Sequence, residues 1–205
     1  LSFYENKIFL NNFSIAFTIF CILILTNSLN FYDGINGQSC FIFIYFFTYL
    51  LLRSDFNVFY LICIILILIV MLQNLKNMLF LGDGGVYLMS IILSISLIYE
   101  HNIHKSIIYA DEIFFLLLLP GLDLLRLTIS RSLDKKNPFI GDRQHIHHLF
   151  INKFSLLFSN ISLFFMSILP LFLFFFLNLS FFVVFFVFLV FYIFSIRYLK
   201  SGIKS

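Results

Sequence analysis

Three short polar clusters interrupt an otherwise apolar chain, and they hold the side chains best suited to chemistry. The first is Asn27-Ser28-Leu29-Asn30-Phe31-Tyr32-Asp33-Gly34-Ile35-Asn36-Gly37. Asn27 and Asn30 are three apart and share a helix face, which Asp33 continues before two glycine steps break the helix. The second is Phe80-Leu81-Gly82-Asp83-Gly84-Gly85-Val86, one carboxylate among three glycines. Glycine lets a backbone approach a ligand closely. A helix starting near Gly85 would aim its amides at an anion. A carboxylate beside an anion makes chemical sense when a divalent metal joins them, and Mg²⁺ characteristically takes one or two carboxylates plus substrate phosphates. The third is Pro138-Phe139-Ile140-Gly141-Asp142-Arg143-Gln144-His145-Ile146-His147-His148, which crowds three of the five histidines into four positions. Arg143 with His145, His147 and His148 suits a patch that grips phosphate by charge and hydrogen bonds. The competing chemistry is a transition-metal site, although this spacing is not that of a closed zinc site. Each cluster also has a plain structural reading, as a helix exit, a capped turn or a polar loop.

The elements that must position these clusters are membrane helices. The 205 residues are 61% hydrophobic and 11% charged, with mean hydropathy +1.04. Soluble domains carry about 25% charge, so a water-soluble globule is excluded, as is a disordered chain. Net charge is +3, too small to indicate nucleic acid as a partner. Cys21, Cys40 and Cys63 are scattered and odd in number, which argues against a disulfide framework or a zinc site. The 32 Phe occur with no Trp; biased codon usage explains this better than an aromatic binding surface.

A spanning helix needs about 20 mostly apolar residues. Such runs fall at 10–29, 40–52, 56–72, 85–99, 109–129, 154–171 and 177–196, with the second and fourth short and Pro170 marking a turn or kink between the last two. The expected fold is all-α, a polytopic helix bundle of about seven spans forming one domain over 1–205. Placing the C-terminus inside puts ten of the 13 Lys and Arg on the cytoplasmic side and leaves Lys7, Arg53 and Lys105 outside, as the positive-inside rule requires. The loops at about 30–39, 73–84 and 130–153, and with them all three clusters, are then cytoplasmic. His101 and His104 fall in an outer loop and are expected to be solvated. Asp123 and Arg126 lie near the inner end of a span at pairing distance i,i+3.

Order, spacing and side together resemble the polyprenyl-phosphate N-acetylhexosamine-1-phosphate transferase family, glycosyltransferase family 4. Asp142-Arg143-Gln144-His145-Ile146-His147-His148-Leu149 is most similar to the undecaprenyl-phosphate GlcNAc-1-phosphate transferase branch. Phe80 to Gly85 resembles the family's Phe-x-Gly-Asp-x-Gly motif, and Asn27 to Gly37 its Asn-x-x-Asn-x-x-Asp-Gly-x-Asp-Gly motif. The resemblance covers nearly the whole chain. Asn36 stands where many members have Asp, and Val86 replaces a small hydroxyl residue. The family's acidic pair in an earlier cytoplasmic loop has no counterpart here: Asp111-Glu112 falls near the outer face, and the chain starts at Leu1 rather than Met. The expectation is therefore a C-terminal part of the enzyme, inactive by itself.

The resemblance implies transfer of N-acetylhexosamine-1-phosphate from a UDP-N-acetylhexosamine to undecaprenyl or another polyprenyl phosphate, with release of UMP. This would start a cell-envelope glycan such as lipopolysaccharide or O-antigen, at the cytoplasmic face of a bacterial inner membrane. It implies Mg²⁺, with Mn²⁺ as the alternative, held by Asp83 and Asn30. Catalytic roles fall to Asp83, Asp33 and His147, and substrate contacts to Asn27, Asn30, Asn36, Arg143, His145 and His148. The expected partners are the UDP-sugar, the lipid phosphate and the membrane, with a homodimer as the one protein partner considered. The other classes are a cation transporter or metal-binding membrane protein, since polar groups at membrane depth mark ion paths, and an inactive remnant.

Overall fold

The structure is a computed structural model that describes residues 1–4, 7–54, 57–102, 108–133, 135 and 144–201. Among these residues the regular elements are helices, with one isolated antiparallel bridge between Ser2 and Lys7. In chain order they are α1 (Ser14–Tyr32), α2 (Gln38–Arg53), α3 (Val58–Leu75), α4 (Gly82–Asn102), α5 (Ala110–Leu116), α6 (Leu118–Leu133), α7 (Ile146–Ile151), α8 (Leu156–Phe176) and α9 (Phe181–Lys200).

Helices α1, α3, α4, α8 and α9 are long and apolar enough to cross a membrane, and α5 with α6 makes a sixth if the bent pair counts as one span. Their outward faces are apolar. Ile62, Ile65, Leu66 and Ile69 on α3, and Phe182, Phe186, Val190 and Phe194 on α9, recur at helical spacing and are exposed, as lipid-facing positions are. The chain is an all-α, multi-pass membrane protein.

The remaining expected run, 40–52, is α2. Its 16 residues extend about 24 Å, short of the ~30 Å hydrocarbon core. More than half of its residues are buried. Phe43, Phe46, Phe47 and Leu50 are fully buried, and α2 packs on α3, α4 and α8. A helix walled in by neighbours need not match the bilayer thickness itself.

Two of the expected runs need correction. The run 109–129 is not one helix: it breaks at Leu117 with a 64° bend. Pro120 is the cause. Its ring would clash with the carbonyl four residues back, at Leu116, where α5 ends. It sits instead in the first turn of α6, where a missing N–H costs little. Pro170, by contrast, does not separate the last two spans. It lies inside α8, which runs on to Phe176, and the turn comes at 177–180. Membrane helices tolerate such a proline when neighbouring helices enclose it, and Pro170 is buried.

The two ends of the bundle are tied differently. At one end α1 meets α2, α3 meets α4, and α7 caps α8 and α9; Lys153 Nζ there donates to the carbonyls of Tyr198 (2.8 Å) and Ser201 (3.3 Å). At the other end Glu112 of α5 accepts from Arg53 Nη2 (2.9 Å) and from the hydroxyls of Tyr4 (2.5 Å) and Tyr49. Tyr60 there donates to Glu100 (2.8 Å). His101, expected to be solvated, is tied into this end: its Nδ1 lies 2.6 Å from the Ile108 carbonyl, and its Nε2 accepts from the Ser2 amide. A ring nitrogen next to a loop carbonyl is better satisfied than one left to water. His104 lies outside the described residues.

Candidate functional site

Asn30, in the last turn of α1, donates from Nδ2 to Asp83 Oδ1 at 3.2 Å. That bond joins the first cluster to the second across 53 residues of sequence. Asp83 is in the first turn of α4 and exposed. Gly82 before it has φ +61°, a left-handed conformation that glycine adopts without strain. It turns the chain sharply into α4, whose first turn carries Asp83 within reach of Asn30 and leaves its opening amides without helical partners. A side chain at Gly84 would meet no protein atom, so the backbone there is open to an approaching ligand.

Asp33 follows α1 directly and is held by Ser39, whose hydroxyl donates to Oδ1 at 2.7 Å. Burial raises the Asp33 pKa, the Ser39 bond opposes that rise, and the negative charge of Asp83 adds to it. The two carboxylates are thus near enough to feel each other. Neither has a salt bridge among the described residues.

The third cluster reaches the first at Gly34. A Cβ at Gly34 would overlap the imidazole of His147. Glycine is required there for close approach, not for an unusual backbone angle. His147 is 1% exposed, stands edge-on to Tyr32 (ring centroids 6.4 Å) and stacks on His145 (5.4 Å, 4° between planes). Burial, followed by the neighbouring His148 and His145, pushes its pKa down to about 3. His147 is neutral at pH 7, so it offers an anion a hydrogen bond rather than a charge. His148 packs against His147 (4.2 Å) and is the most open of the three rings.

His145 serves a different purpose. It is buried, and its Nδ1 lies 2.9 Å from Asp123 Oδ2. Asp123 Oδ1 also accepts from Arg126 Nη2 (2.7 Å) and the Tyr192 hydroxyl (2.9 Å), and the Ile146 amide reaches both carboxylate oxygens. Arg126 goes on to the Gln144 carbonyl (2.7 Å) and Tyr192 (2.9 Å). The expected Asp123–Arg126 pair is present, as part of a buried network that locks α7 onto α6 and α9. A fully bonded network of this kind fixes geometry.

Other expected site residues are placed less centrally. Asn27 is exposed and donates back to the Leu23 carbonyl of its own helix (2.8 Å); among the described residues no hydrogen bond carries it to the other clusters. Asn36 donates to Asn77 Oδ1 (2.5 Å). Arg143 lies outside the described residues.

The sequence reading missed three asparagines that hold the clusters in register. Asn74 accepts from the Gly37 amide (2.5 Å) and donates to the Leu79 carbonyl (2.9 Å), fastening the first cluster to the loop before the second. Asn77 receives Asn36. Asn160 on α8 donates to the Asn36 carbonyl (2.8 Å). The one available signal was polarity in apolar surroundings, since Asn160 opens a span and is buried.

The donor set is hard oxygen: an exposed carboxylate, a second carboxylate close by and an asparagine amide. That suits Mg²⁺. Among the described residues no three His, Cys, Asp or Glu side chains gather so as to hold a metal by themselves, so the histidine run does not assemble a transition-metal site there. Comparison with protein-family profiles, with curated proteins and with solved structures gave no match.

Proposed function

We propose that this membrane bundle belongs to a phosphoglycosyltransferase that moves N-acetylhexosamine-1-phosphate from a UDP-sugar to a polyprenyl phosphate and releases UMP. The observation that carries the reading is convergence. Three clusters spread over more than a hundred residues meet at one end of the bundle, through Asn30–Asp83 and Gly34–His147. A bundle that needed polar groups only to finish its helices would not bring them together.

The chemistry joins two anions. An oxygen of the lipid phosphate attacks the sugar-bearing phosphorus, and UMP leaves in line. Such a reaction is governed by positioning and charge neutralisation. Mg²⁺, or Mn²⁺ in its place, would be held by Asp83 with Asn30 beside it, and would neutralise charge on the diphosphate. Asn30 aims Asp83. The amides opening α4 face the same space and favour an anion. Asp33, positioned by Ser39, and Asn36, positioned by Asn77, orient the nucleotide-sugar. His147 and His148 supply hydrogen bonds to phosphate or sugar, and Arg143 supplies charge. His145 acts through Asp123, holding the helix that carries the other two.

We place this end of the bundle at the cytoplasmic face of a bacterial inner membrane, where UDP-sugars are available. Lys76→Cys and Arg53→Cys test that placement: an impermeant thiol reagent added to intact cells should label the second and spare the first. The activity itself is tested with membranes containing the full-length protein, a radiolabelled UDP-N-acetylhexosamine and Mg²⁺. Label should enter the lipid extract and be abolished by chelation. Label that stays in the aqueous phase would favour a transporter or an inactive remnant.

A further inference from the structure

A small polar cavity lies behind the first cluster, where α1, α2 and α8 meet. Tyr32, Gln38, Asn160 and Ser167 line it together with apolar side chains, and its volume is about 10 Å³. Four polar atoms beside it are buried without a hydrogen-bond partner: the Tyr32 hydroxyl, both amide atoms of Gln38, and Asn160 Oδ1. Tyr32, Gln38 and Asn160 are each no more than 2% exposed. Gln38 and Ser167 both bear on the Tyr32 hydroxyl, yet neither completes a bond of normal geometry with it. Asn160 is oriented by its own Nδ2, which donates to the Asn36 carbonyl. Its oxygen is therefore the atom left facing away from Asn36.

We propose that this cavity is a binding site for one structural water that bridges Tyr32, Gln38 and Asn160 and tethers the Asp33–Gly37 loop to α8. A single water needs about 10–15 Å³ and two to four polar partners; the cavity reaches the lower end of that volume and supplies the partners. The mixture of groups selects water over a cation. Gln38 Nε2 must donate, while Gln38 Oε1 and Asn160 Oδ1 must accept. A cation would satisfy only the oxygens, whereas water gives two protons and takes two. Leaving these atoms dry would incur the full cost of burying unmade hydrogen bonds. The tether acts on the site from beneath: Tyr32 precedes Asp33 and stands against His147, and Asn160 holds Asn36. This inference stands on geometry alone and does not depend on the transfer reaction.

A structure of the intact protein in lipid nanodiscs, at a resolution that shows ordered water, tests occupancy. It should show a peak ~2.6–3.2 Å from the Tyr32 hydroxyl and a Gln38 amide atom. A bare cavity in a map that shows other buried waters overturns the proposal, as does a direct Tyr32–Gln38 bond that closes the cavity. Hydrogen exchange tests the tether. Tyr32→Phe removes one water partner and should speed amide exchange in the 34–38 segment by up to about tenfold. Tyr99→Phe, at an exposed tyrosine of α4, should leave it unchanged. Equal exchange in Tyr32→Phe and wild type overturns the tethering role.

Discussion

The bundle carries acidic side chains at both ends, and the two ends treat them in opposite ways. At the end holding α5, Glu112 is fully buried and bonded by Arg53, Tyr4 and Tyr49, while Asp111 accepts from the Tyr4 amide at 2.8 Å. At the other end Asp83 is exposed and, among the described residues, receives one bond, from Asn30. Asp33 receives one among the same residues, from Ser39. A carboxylate surrounded by donors and a cation is finished and holds helices together. A carboxylate with spare lone pairs, next to helix amides and a second carboxylate, is unfinished and can take a ligand. Asp123 shows that the distinction is not simply one end against the other. It lies with the histidines, yet has Arg126, Tyr192, His145 and the Ile146 amide as partners. Partner count separates scaffold from site better than location does.

The comparison predicts a spread of mutant effects. The largest is at Asp83. Asp83→Asn should lower turnover by about 10²–10³-fold or more, while unfolding in mixed detergent stays within ~0.5 kcal/mol of wild type, as for an exposed position. A large stability loss in that variant would move Asp83 into the finished class. Asp123→Ala should act on both quantities. Removing one partner of a buried ion pair costs about 3–5 kcal/mol. The loss of α7's anchor should reduce turnover in parallel with stability. Full activity with an intact histidine helix would show that the network does not position the site.

Glu112→Ala is the converse of Asp83→Asn. Two tyrosine hydroxyls lose their acceptor, and Arg53, which keeps some access to water, loses its partner. We expect a loss of about 2 kcal/mol in detergent-titrated unfolding, with turnover per folded molecule unchanged. A selective loss of turnover would mean that both ends contribute to catalysis.

The smallest effect is in pH dependence and sharpens the reading of His147. Its folded-state pKa is about 3 against an ordinary 6.5, so between those values the unfolded chain binds the extra proton. Stability must then rise with pH across that window and fall on acidification. At pH 5 the loss is about 2 kcal/mol, relative to neutral pH. His147→Gln should flatten that part of the stability profile. An unaltered acid slope would show that His147 is not the buried neutral group described here.

Much of the fold was readable because apolar run length and turn chemistry are local. The runs at 10–29 and 56–72 became α1 and α3 with shifts of a few residues. The effects of the prolines were not legible because they depend on register and neighbours. Pro120 broke a run that looked continuous, and Pro170 sat inside a helix that looked finished. In the candidate site, the clusters could be picked out one at a time from their residue types, and Asp83 among its glycines is exposed as a ligand would require. Their supports could not. Asn74, Asn77 and Asn160 look like ordinary polar residues at helix ends until Gly37 and Asn36 are seen beside them. His145 looks like a third ligand until Asp123, 22 residues earlier, is found bonded to it. Partners distant in sequence leave no local pattern.

At the unfinished end we expect transfer of a sugar phosphate. Its most direct test supplies a UDP-N-acetylhexosamine labelled separately in the sugar and in the β-phosphorus to membranes carrying the full-length protein as wild type, Asp83→Asn or Glu112→Ala, and follows both labels and UMP. Wild type should place sugar and β-phosphorus in the lipid extract in equal amounts, with matching UMP. Glu112→Ala should do the same per folded molecule, and Asp83→Asn should do neither. Sugar without phosphorus in the lipid, or undiminished transfer by Asp83→Asn, would contradict the account.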